Sequence, residues 1–302
     1  MPFIKTNKLQ LESTDSFNPN AHNFYQTVEY LNYLVRTKQG NLIELSLDKN
    51  SLCYALVKTK LSFFGFDLLW CPGGIIKTAT FETTIQKKHA GRLSILIVGT
   101  FQTNNDREST RIIGANKTIL INVADFRAKL RMSKNWRKNQ RRAYQVETVC
   151  RSALLADLEQ IMYHIQTLEE FKKINLGIDT EFVKSVLLCP DCTCLIAEDK
   201  NKNFLGFRAA FLGRNTAFDL VAVNSLEGKR RYASYLLVTE IINLAHSRGI
   251  EYFDFGGIDE KNNLAVYNFK KGIGGEETFY ESEVVQNVYP FITKLLKKML
   301  RK

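Results

Sequence analysis

Three apolar runs follow one another in the second half of the chain, and only short polar turns separate them. The runs are CTCLIAEDK, FLGFRAAFLGR and TAFDLVAVN, and each has the length and composition of a β-strand. Two helical patterns precede them, ALLADLEQIMYHIQTLEEFKK and IDTEFVKSVLL, and a third follows, YASYLLVTEIINLAHSRG. A helix pair, an antiparallel meander and a returning helix restrict this half to a mixed α/β fold.

The first half shows the same order of elements in a weaker form. Helical spacing from Phe24 to Lys38 precedes the strand-like runs NLIELSL, SLCYALVKT and DLLWCPGGII, and a further helix is predicted near Phe81–Gly91. This order is that of the GNAT-type acyltransferases, so we predict an α/β (mixed α+β) fold of two tandem GNAT-like domains. Their predicted bounds are residues 1–147 and 148–286. A basic amphipathic helix over residues 287–302 follows, and packing back on the first domain is one option for it.

The charge of the chain points to the kind of partner it binds. The 302 residues carry a formal net charge of +11, and the pI is about 9.3. Such a balance favours nucleic acid, anionic lipid or phosphorylated molecules. The sequence has no apolar run of about 18 residues and no signal-peptide pattern, so we expect a cytoplasmic protein. We also expect it to be a monomer.

The cysteines and histidines do not predict a metal site. Six cysteines in a chain without a signal peptide are typical of reduced thiols. The run Cys189-Pro-Asp-Cys192-Thr-Cys194 supplies three thiols without a fourth ligand nearby, whereas zinc sites usually need four. The four histidines are scattered. We therefore expect no metal and no cofactor.

Two segments near the C-terminus resemble the Fem family, the aminoacyl-tRNA-dependent ligases that build the interpeptide bridges of peptidoglycan. They are RRYASYLLVTEIINLAHSRGIEYFDFGGI (Arg230–Ile258) and LAVYNFKKGIGGEETFYESEVV (Leu264–Val285). The shared features are a Tyr-Ala-x-Tyr entry to a helix, a D-F-G-G-I strand end and an F-K-K-G cluster. Weaker likeness covers NFYQTVEYLNYL, LLWCPGGII and TILINVADFRAKLRMSKNWRKNQRRA. The last of these corresponds to the basic helix that closes the first domain in that family.

The resemblance implies a donor and an acceptor. The donor would be aminoacyl-tRNA, and the acceptor would be an amine of a peptidoglycan precursor. Relatives that use a soluble nucleotide-linked muropeptide have basic residues where this chain has Asn32 and the stretch Leu176–Asp179. We therefore expect a lipid-linked muropeptide as the acceptor. The basic helix over residues 287–302 suits peripheral contact with an anionic membrane, although packing on its own domain is the commoner use of such a helix.

The loop before the long helix of the second half argues against coenzyme A. In acyl-CoA enzymes of this fold a glycine-rich loop offers its backbone N–H groups to the pyrophosphate. The loop Gly228–Ala233 has one glycine and bulky residues where that backbone must approach phosphate. Its long side chains suit the phosphates of tRNA instead, and the predicted substrate-binding set here is Arg230, Arg231, Tyr232 and Tyr235. The alternative is that both arginines are solvated loop charges.

A basic helix over residues 127–144 is the predicted tRNA-binding element. Its basic residues stand at i,i+4 spacings with no acid among them, which destabilises an isolated helix. A polyanion relieves that repulsion, so the helix is predicted to bind phosphates. The tRNA-binding residues are predicted to be Lys134, Arg137, Lys138, Arg141 and Arg142. An ordinary basic surface is the alternative, and Trp136 is predicted to anchor the helix to the core.

The cluster Tyr267–Gly272 carries the predicted catalytic residues. Aminolysis of an ester passes through a tetrahedral oxyanion, and preorganised positive charge stabilises it. Lys270 is predicted to supply that charge, with Phe269 packing beside it, and Lys271 and Tyr267 are predicted to bind substrate. No paired general base is apparent, so deprotonation assisted by the substrate is expected. The alternative for this cluster is a helix that Gly272 ends, with lysines near its C-terminus.

These observations together predict a cytoplasmic aminoacyltransferase at the inner face of the membrane. It would move an amino acid from aminoacyl-tRNA to an amine of a lipid-linked peptidoglycan precursor. Two other functions stay open at this stage because a fold does not fix an activity. One is an acyltransferase that acts on an amino sugar of a surface polysaccharide. The other is an RNA-binding module without catalytic activity.

Overall fold

The computed structural model describes residues 24–37, 41–46, 52–58, 66–71, 93–98, 103–104, 115–128, 131–280 and 284–286. The chain divides into two compact units, the first made of Met1–Asn116 and Phe279–Lys302, and the second of Lys117–Thr278. Residues 117–147 therefore fold with the second unit, whereas the sequence analysis placed them in the first domain. The helices predicted near Phe81–Gly91 and over residues 287–302 lie outside the described residues.

The described helices and strands are numbered here in chain order. The helices are α1 (Val28–Thr37), α2 (Val123–Ala128), α3 (Lys134–Gln145), α4 (Leu158–Lys172), α5 (Thr180–Leu188), α6 (Leu226–Arg230), α7 (Ala233–Ser247) and α8 (Leu264–Gly272). The strands are β1 (Asn41–Ser46), β2 (Leu52–Lys58), β3 (Phe66–Cys71), β4 (Leu93–Val98), β5 (Thr103–Asn104), β6 (Lys117–Asn122), β7 (Thr148–Ser152), β8 (Cys192–Asp199), β9 (Phe204–Leu212), β10 (Thr216–Asn224), β11 (Tyr252–Gly257), β12 (Glu276–Tyr280) and β13 (Val284–Gln286).

The first unit contains a sheet of order β1-β2-β3-β4-β13. Strands β1 to β3 pair antiparallel, β3 and β4 pair parallel, and β13 pairs antiparallel with β4. Helix α1 buries Tyr30, Leu31 and Leu34, and the ring of Tyr30 lies 5.2 Å from that of Phe24. The helical spacing that begins at Phe24 therefore marks an apolar face, as the sequence predicted.

The second unit is built on a sheet of order β12-β6-β11-β10-β9-β8-β7. The predicted meander is present, because β8, β9 and β10 pair antiparallel in succession. Strands β10 and β11 pair parallel, and the residues paired are Thr216–Phe218 with Tyr252–Asp254. Strand β9 is buried along its whole length, which explains its almost continuous apolar sequence.

Helix α3 is anchored to the core of the second unit by one face. Trp136 is 2% exposed and lies in the same hydrophobic cluster as residues of β6, β11 and α7. Gln140 Nε2 donates to Thr239 Oγ1 of α7 at 3.1 Å, and both residues are buried. Ser133 caps the helix by accepting a hydrogen bond from Trp136 N. The predicted anchoring role of Trp136 is confirmed, and the remaining faces of α3 stay outside the core.

Within the described part of the chain, no helix combines the length and apolar character needed to cross a bilayer. The same residues contain no group of three or more His, Cys, Asp or Glu side chains arranged to hold a metal ion. Burial raises the pKa of the Cys150 and Cys194 thiols to about 12, so neither is a thiolate at neutral pH.

Candidate active site

The candidate active site begins with an irregular end of strand β11. Its pairing with β6 shifts register between Asp254 and Gly257, and Gly256 lies at a φ of 68°. That backbone conformation favours glycine, which explains why position 256 is a glycine. The bulge turns successive carbonyl groups out of the regular ladder. The D-F-G-G sequence therefore builds a local backbone shape rather than a plain strand end.

Asp254 and Thr118 hold this strand end in place. Asp254 is 1% exposed, and its Oδ1 accepts hydrogen bonds from Gly256 N at 2.7 Å and from Thr118 Oγ1. Thr118 Oγ1 also lies 3.0 Å from Gly256 O. These hydrogen bonds hold the neighbouring peptide groups in position, because breaking a hydrogen bond to a buried carboxylate is costly.

The Lys270 ammonium occupies the position that these carbonyls surround. Its Nζ donates to Phe255 O and to Gly257 O, both at 2.8 Å, whereas Gly256 O lies at 3.4 Å. An ammonium has three N–H donors, so two short bonds leave the third donor with only a long contact among these carbonyls. We call Lys270 and the carbonyls of Phe255, Gly256 and Gly257 the lysine seat.

Burial and nearby charges act on this lysine in opposite directions. Burial lowers the pKa of Lys270 below its ordinary value of 10.5; the Asp219 carboxylate opposes this, the Arg208 guanidinium adds to it, and Asp254 opposes it. Arg208 and Asp219 are themselves a buried pair, with bonds of 2.9 Å and 2.6 Å. Lys270 thus lies in a partly dry site with Asp219, Arg208 and Asp254 nearby, where a charge acts strongly on a bound group.

Aromatic side chains cover the seat on one side. The Phe269 ring lies 5.1 Å from that of Tyr235, 5.8 Å from that of Trp136 and 6.5 Å from that of Phe255. The Arg208 guanidinium lies over the Phe255 and Phe269 rings at 5.3 and 5.9 Å. Phe269, predicted as a catalytic residue, thus packs among these rings next to the strand end that holds Lys270, and its part in catalysis stays a prediction.

Two tyrosines of the predicted substrate-binding set connect the seat to α3. Tyr235 packs on Trp136 and Phe269, and its hydroxyl accepts a hydrogen bond from Asn139 Nδ2 at 3.0 Å. Tyr232 precedes α7 at a φ of 60°, and its hydroxyl accepts from Arg142 at 2.8 Å. The two tyrosine rings are 6.1 Å apart. Side-chain contacts therefore run from α3 through the two tyrosines to Phe269, which precedes Lys270 in α8.

The predicted tRNA-binding residues are exposed on α3. We call this set the α3 basic face: Lys134, Arg137, Lys138, Arg141 and Arg142. Arg137 Nε also donates to Met132 O at 3.1 Å, and Arg142 holds Tyr232. Lys138 and Arg141 are thus better probes of phosphate binding than the two arginines that also support the fold.

The other predicted substrate-binding residues have acidic partners. Glu227 accepts from Arg231 at 2.8 Å and from Arg230 at 3.5 Å. Tyr267 and Lys271 both bind Glu277, and the bond to Glu277 raises the pKa of Tyr267 to about 12. Each of these bonds joins the side chain to an acid that is not part of the lysine seat. Their binding of substrate stays a prediction.

The loop at Gly228 has a local structural role. A Cβ atom added to Gly228 would lie 1.7 Å from Leu205 O, so the glycine permits contact between α6 and β9. The N–H groups of Lys229, Arg231 and Tyr232 donate to carbonyls within the turn. A pyrophosphate would have to compete with these bonds, which is a physical argument against the coenzyme A mode of binding here.

Sequence reasoning missed the buried pair and the threonine below the seat. Arg208 interrupts the apolar run FLGFRAAFLGR, and an arginine inside a buried strand is a signal for a buried acidic partner. Thr118 gave no signal, because it is 136 residues from Asp254 in sequence and its role depends on the pairing of β6 with β11.

Comparison with protein families agrees with the resemblance seen in the sequence. Residues 195–296 match the model of the FemAB family. This segment contains the lysine seat, the Arg208–Asp219 pair and both tyrosines. A sequence search of curated proteins gives no match.

Solved structures show the same fold over nearly the whole chain. The crystal structure of FemX superposes with a TM-score of 0.72 at 11% identity, covering 93% of this chain and 96% of FemX. The C-terminal domain of a predicted lysylphosphatidylglycerol synthetase from Agrobacterium fabrum gives 0.57 at 11% identity, with 91% and 92% covered. The structure of L-PGS from Bacillus licheniformis gives 0.57 at 9% identity, with 90% and 91% covered. These structures confirm the predicted mixed α/β fold, and the match to the FemAB family confirms the Fem resemblance over residues 195–296.

Proposed function

We propose that this chain, a Fem-like protein by its family match and its fold, is an aminoacyltransferase. It moves an amino acid from aminoacyl-tRNA to an amine of a peptidoglycan precursor, most simply a lipid-linked muropeptide. The proposal rests on the geometry of the Lys270 ammonium. Phe255 O and Gly257 O each accept a hydrogen bond from it at 2.8 Å. Among the seat carbonyls, only the longer contact of 3.4 Å to Gly256 O remains for its third N–H group. The family match supports acyl transfer as the class of reaction.

The lysine seat suits the charge that develops during aminolysis. The acceptor nitrogen attacks the ester carbonyl carbon, and the electron pair of the C=O bond moves to oxygen. Lys270 donates its third N–H to this oxyanion, while the two carbonyls keep the ammonium in position. Collapse of the intermediate forms the amide and breaks the bond to the ribose oxygen of tRNA. The proton lost by the amine passes to that oxygen within the substrates, because no side chain is assigned as a base.

The α3 basic face provides a route for the donor. Lysine and arginine side chains on one exposed face bind phosphates, and their effect falls as salt rises. Tyr232 and Tyr235 join this face to Phe269, the residue before Lys270, through direct contacts. A tRNA backbone on α3 thus places its aminoacylated end toward the seat. We propose that the protein acts as a monomer at the inner face of the membrane.

A second acceptor chemistry is favoured by the structural comparisons. One similar structure comes from a predicted lysylphosphatidylglycerol synthetase, whose product name describes an amino acid on a lipid. Transfer to a lipid hydroxyl passes through the same kind of oxyanion, so the lysine seat serves either acceptor. The two candidates differ in the bond formed, which is an amide in one and an ester in the other.

The decisive experiment is a discharge assay with purified full-length protein. Radiolabelled aminoacyl-tRNA is offered with a lipid-linked muropeptide, a nucleotide-linked muropeptide or phosphatidylglycerol, and products are identified by mass spectrometry. We expect an amide on the lipid-linked muropeptide. Binding of tRNA without discharge onto any acceptor would favour an RNA-binding module. Acyl transfer from acetyl-CoA to an amino sugar would favour the polysaccharide alternative.

A further inference from the structure

An exposed apolar surface lies where the C-terminus of α4 approaches α6. Phe171 is 73% exposed and Leu226 is 67% exposed, and Ile174 and Leu176 are exposed as well. The Lys229 ammonium lies 5.9 Å from the centre of the Phe171 ring, which brings the two elements together. Single exposed apolar residues are common, but a group of them marks an interaction site. We call these four apolar residues the α4–α6 surface.

The turn that presents this surface is held by hydrogen bonds. Lys173 N donates to Glu170 O at 3.2 Å, and Ile174 N donates to Glu169 O at 3.1 Å. Leu176 N donates to the Glu169 side chain at 2.6 Å. The backbone that carries these apolar side chains is therefore fixed, and their exposure is not the result of an unstructured end.

Basic residues surround the apolar ones. Lys172, Lys173 and Lys229 are exposed, and Leu226 and Lys229 share a face of α6 because they are three residues apart. Of the nearby acids, Glu169 is bound to Leu176 N and Glu227 to two arginines, whereas Glu170 is exposed. Apolar side chains with a lysine rim match the interface of an anionic bilayer, where lysine stems extend to the headgroups.

The surface lies at the same edge of the sheet as the lysine seat. Strands β10 and β11 pair parallel, so their C-terminal ends reach one edge. Helix α6 follows the end of β10, and the seat is at the end of β11. Strand β7, which leads into α4, is opposite in direction to β10 because the pairs β7–β8, β8–β9 and β9–β10 are all antiparallel. Helix α4 thus starts at the far edge and ends at this one.

We propose that the α4–α6 surface docks the protein on an anionic membrane. This inference rests on the proposed function in one respect, since docking there brings a lipid-linked acceptor to the edge that holds Lys270. Membrane is favoured over RNA as the occupant because three of the four apolar residues are aliphatic. Single-stranded nucleic acid is bound through aromatic stacking, for which aliphatic side chains have no use.

The test is co-sedimentation of the full-length protein with vesicles, without tRNA or acceptor. Vesicles of phosphatidylglycerol and phosphatidylcholine are compared with vesicles of phosphatidylcholine alone. We expect binding to the anionic vesicles, and we expect Phe171→Ser/Leu226→Ser to weaken it at least tenfold because both side chains lose their burial in the interface. Lys172→Ala/Lys229→Ala should weaken it roughly 25-fold, since each lysine near an anionic surface contributes about fivefold.

Matched controls come from the opposite edge of the sheet. Leu154, which is 63% exposed, follows β7, and Arg214 and Arg248 are exposed after β9 and α7. Leu154→Ser and Arg214→Ala/Arg248→Ala should bind anionic vesicles as the wild type does. Unfolding temperatures of all variants exclude loss of fold as the cause of weaker binding.

Three outcomes would overturn this proposal. One is unchanged vesicle binding by both surface variants, which would place the contact elsewhere, for example in residues 287–302. Another is loss of tRNA binding without loss of vesicle binding. The third is a dimer in sedimentation analysis that Phe171→Ser/Leu226→Ser dissociates. Failure of the proposed function is separate: vesicle binding without aminoacyl discharge would retain the surface, and discharge without vesicle binding would retain the function.

Discussion

The lysine seat and the α3 basic face use the same kind of charge in two opposite environments. Lys270 is held by two carbonyls at 2.8 Å, and burial lowers its pKa. Lys138 and Arg141 of α3 are exposed to solvent. Charges in a drier site interact strongly and are weakly screened, whereas exposed charges are weak individually and sensitive to salt. In the function that we propose, the charge in the drier site acts in the chemistry and the exposed charges act in binding.

The largest expected effect is that of Lys270→Met. Methionine keeps most of the length and apolar packing but removes the charge that faces the oxyanion. Loss of one such group typically costs about 2.7–4 kcal/mol, so turnover should fall roughly a hundred- to a thousandfold. Affinity for tRNA should change far less, because the charge acts mainly on the transition state. Single-turnover discharge assays and filter binding measure the two quantities.

The same variant separates catalysis from stability. Charged Lys270 is disfavoured by burial, while Phe255 O and Gly257 O lose their donor in the variant, so the two effects on folding oppose each other. The unfolding temperature should therefore change little. Wild-type turnover should fall as pH rises through the lowered pKa of Lys270, below the ordinary value of 10.5, and stability should rise over the same window. If Lys270→Met turns over within a few-fold of wild type, the cluster Tyr267–Gly272 serves only to end helix α8 and the catalytic assignment of Lys270 is wrong.

Reversal of charge on the α3 basic face should have the next largest effect. Lys138→Glu/Arg141→Glu should weaken tRNA binding about ten- to a hundredfold at low salt. The log–log salt slope should fall in magnitude by about 0.7–0.9 for each phosphate that the variant no longer neutralises. Arg214→Glu/Arg248→Glu carries the same change of charge at the opposite sheet edge and should bind nearly as the wild type. Equal weakening in both variants would show a dependence on net charge rather than on this face.

The two regions differ in how far the sequence predicted them. The charges of α3 are visible as a run without acids, and the cluster Tyr267–Gly272 is visible by its aromatic and glycine neighbours. The structure shows that α8 does end at Gly272 with lysines in its last turn, so the helix-end interpretation holds and the catalytic one stays a prediction. Lys270 was the lysine predicted to supply the charge, but the carbonyls that hold its ammonium could not be predicted, because they belong to a strand that precedes the helix.

Long-range pairing explains what the sequence analysis lacked. The strand predictions for β8, β9 and β10 hold because each run carries its own local pattern of burial. The assignment of residues 117–147 to the first domain differed from the structure because β6 pairs with β11, and no local pattern encodes that pairing. The same pairing brings Thr118 to Asp254, so one long-range strand pair accounts for both differences.

A substitution at Thr118 should perturb the lysine seat less than Lys270→Met does, because it changes the geometry of the seat and leaves the charge of Lys270 in place. Thr118→Val removes the hydroxyl that donates to Asp254 and keeps the shape of the side chain. The strand end should loosen, and turnover should fall about tenfold, with a loss of about 1–3 kcal/mol in unfolding free energy for the buried acceptor. Thr118→Ser keeps the hydroxyl and should retain most of the turnover. If Ser and Val lose turnover equally, the methyl packing matters and the hydrogen bond does not.

The smallest expected effect concerns Lys271, the neighbour of the catalytic candidate. Its ammonium binds Glu277, which also accepts from Tyr267, and its side chain is half exposed. An exposed ion pair contributes about 0–1 kcal/mol, so Lys271→Met should lower stability slightly and turnover by no more than a few-fold. Lys270 and Lys271 are neighbours in the same helix and receive the same substitution, so the two variants compare a buried and an exposed environment for one side-chain change.

Added salt should narrow the difference in stability between Lys271→Met and wild type but leave the turnover defect of Lys270→Met in place. A Lys271→Met defect as large as that of Lys270→Met would mean that the whole helix end, not one buried ammonium, supports the reaction.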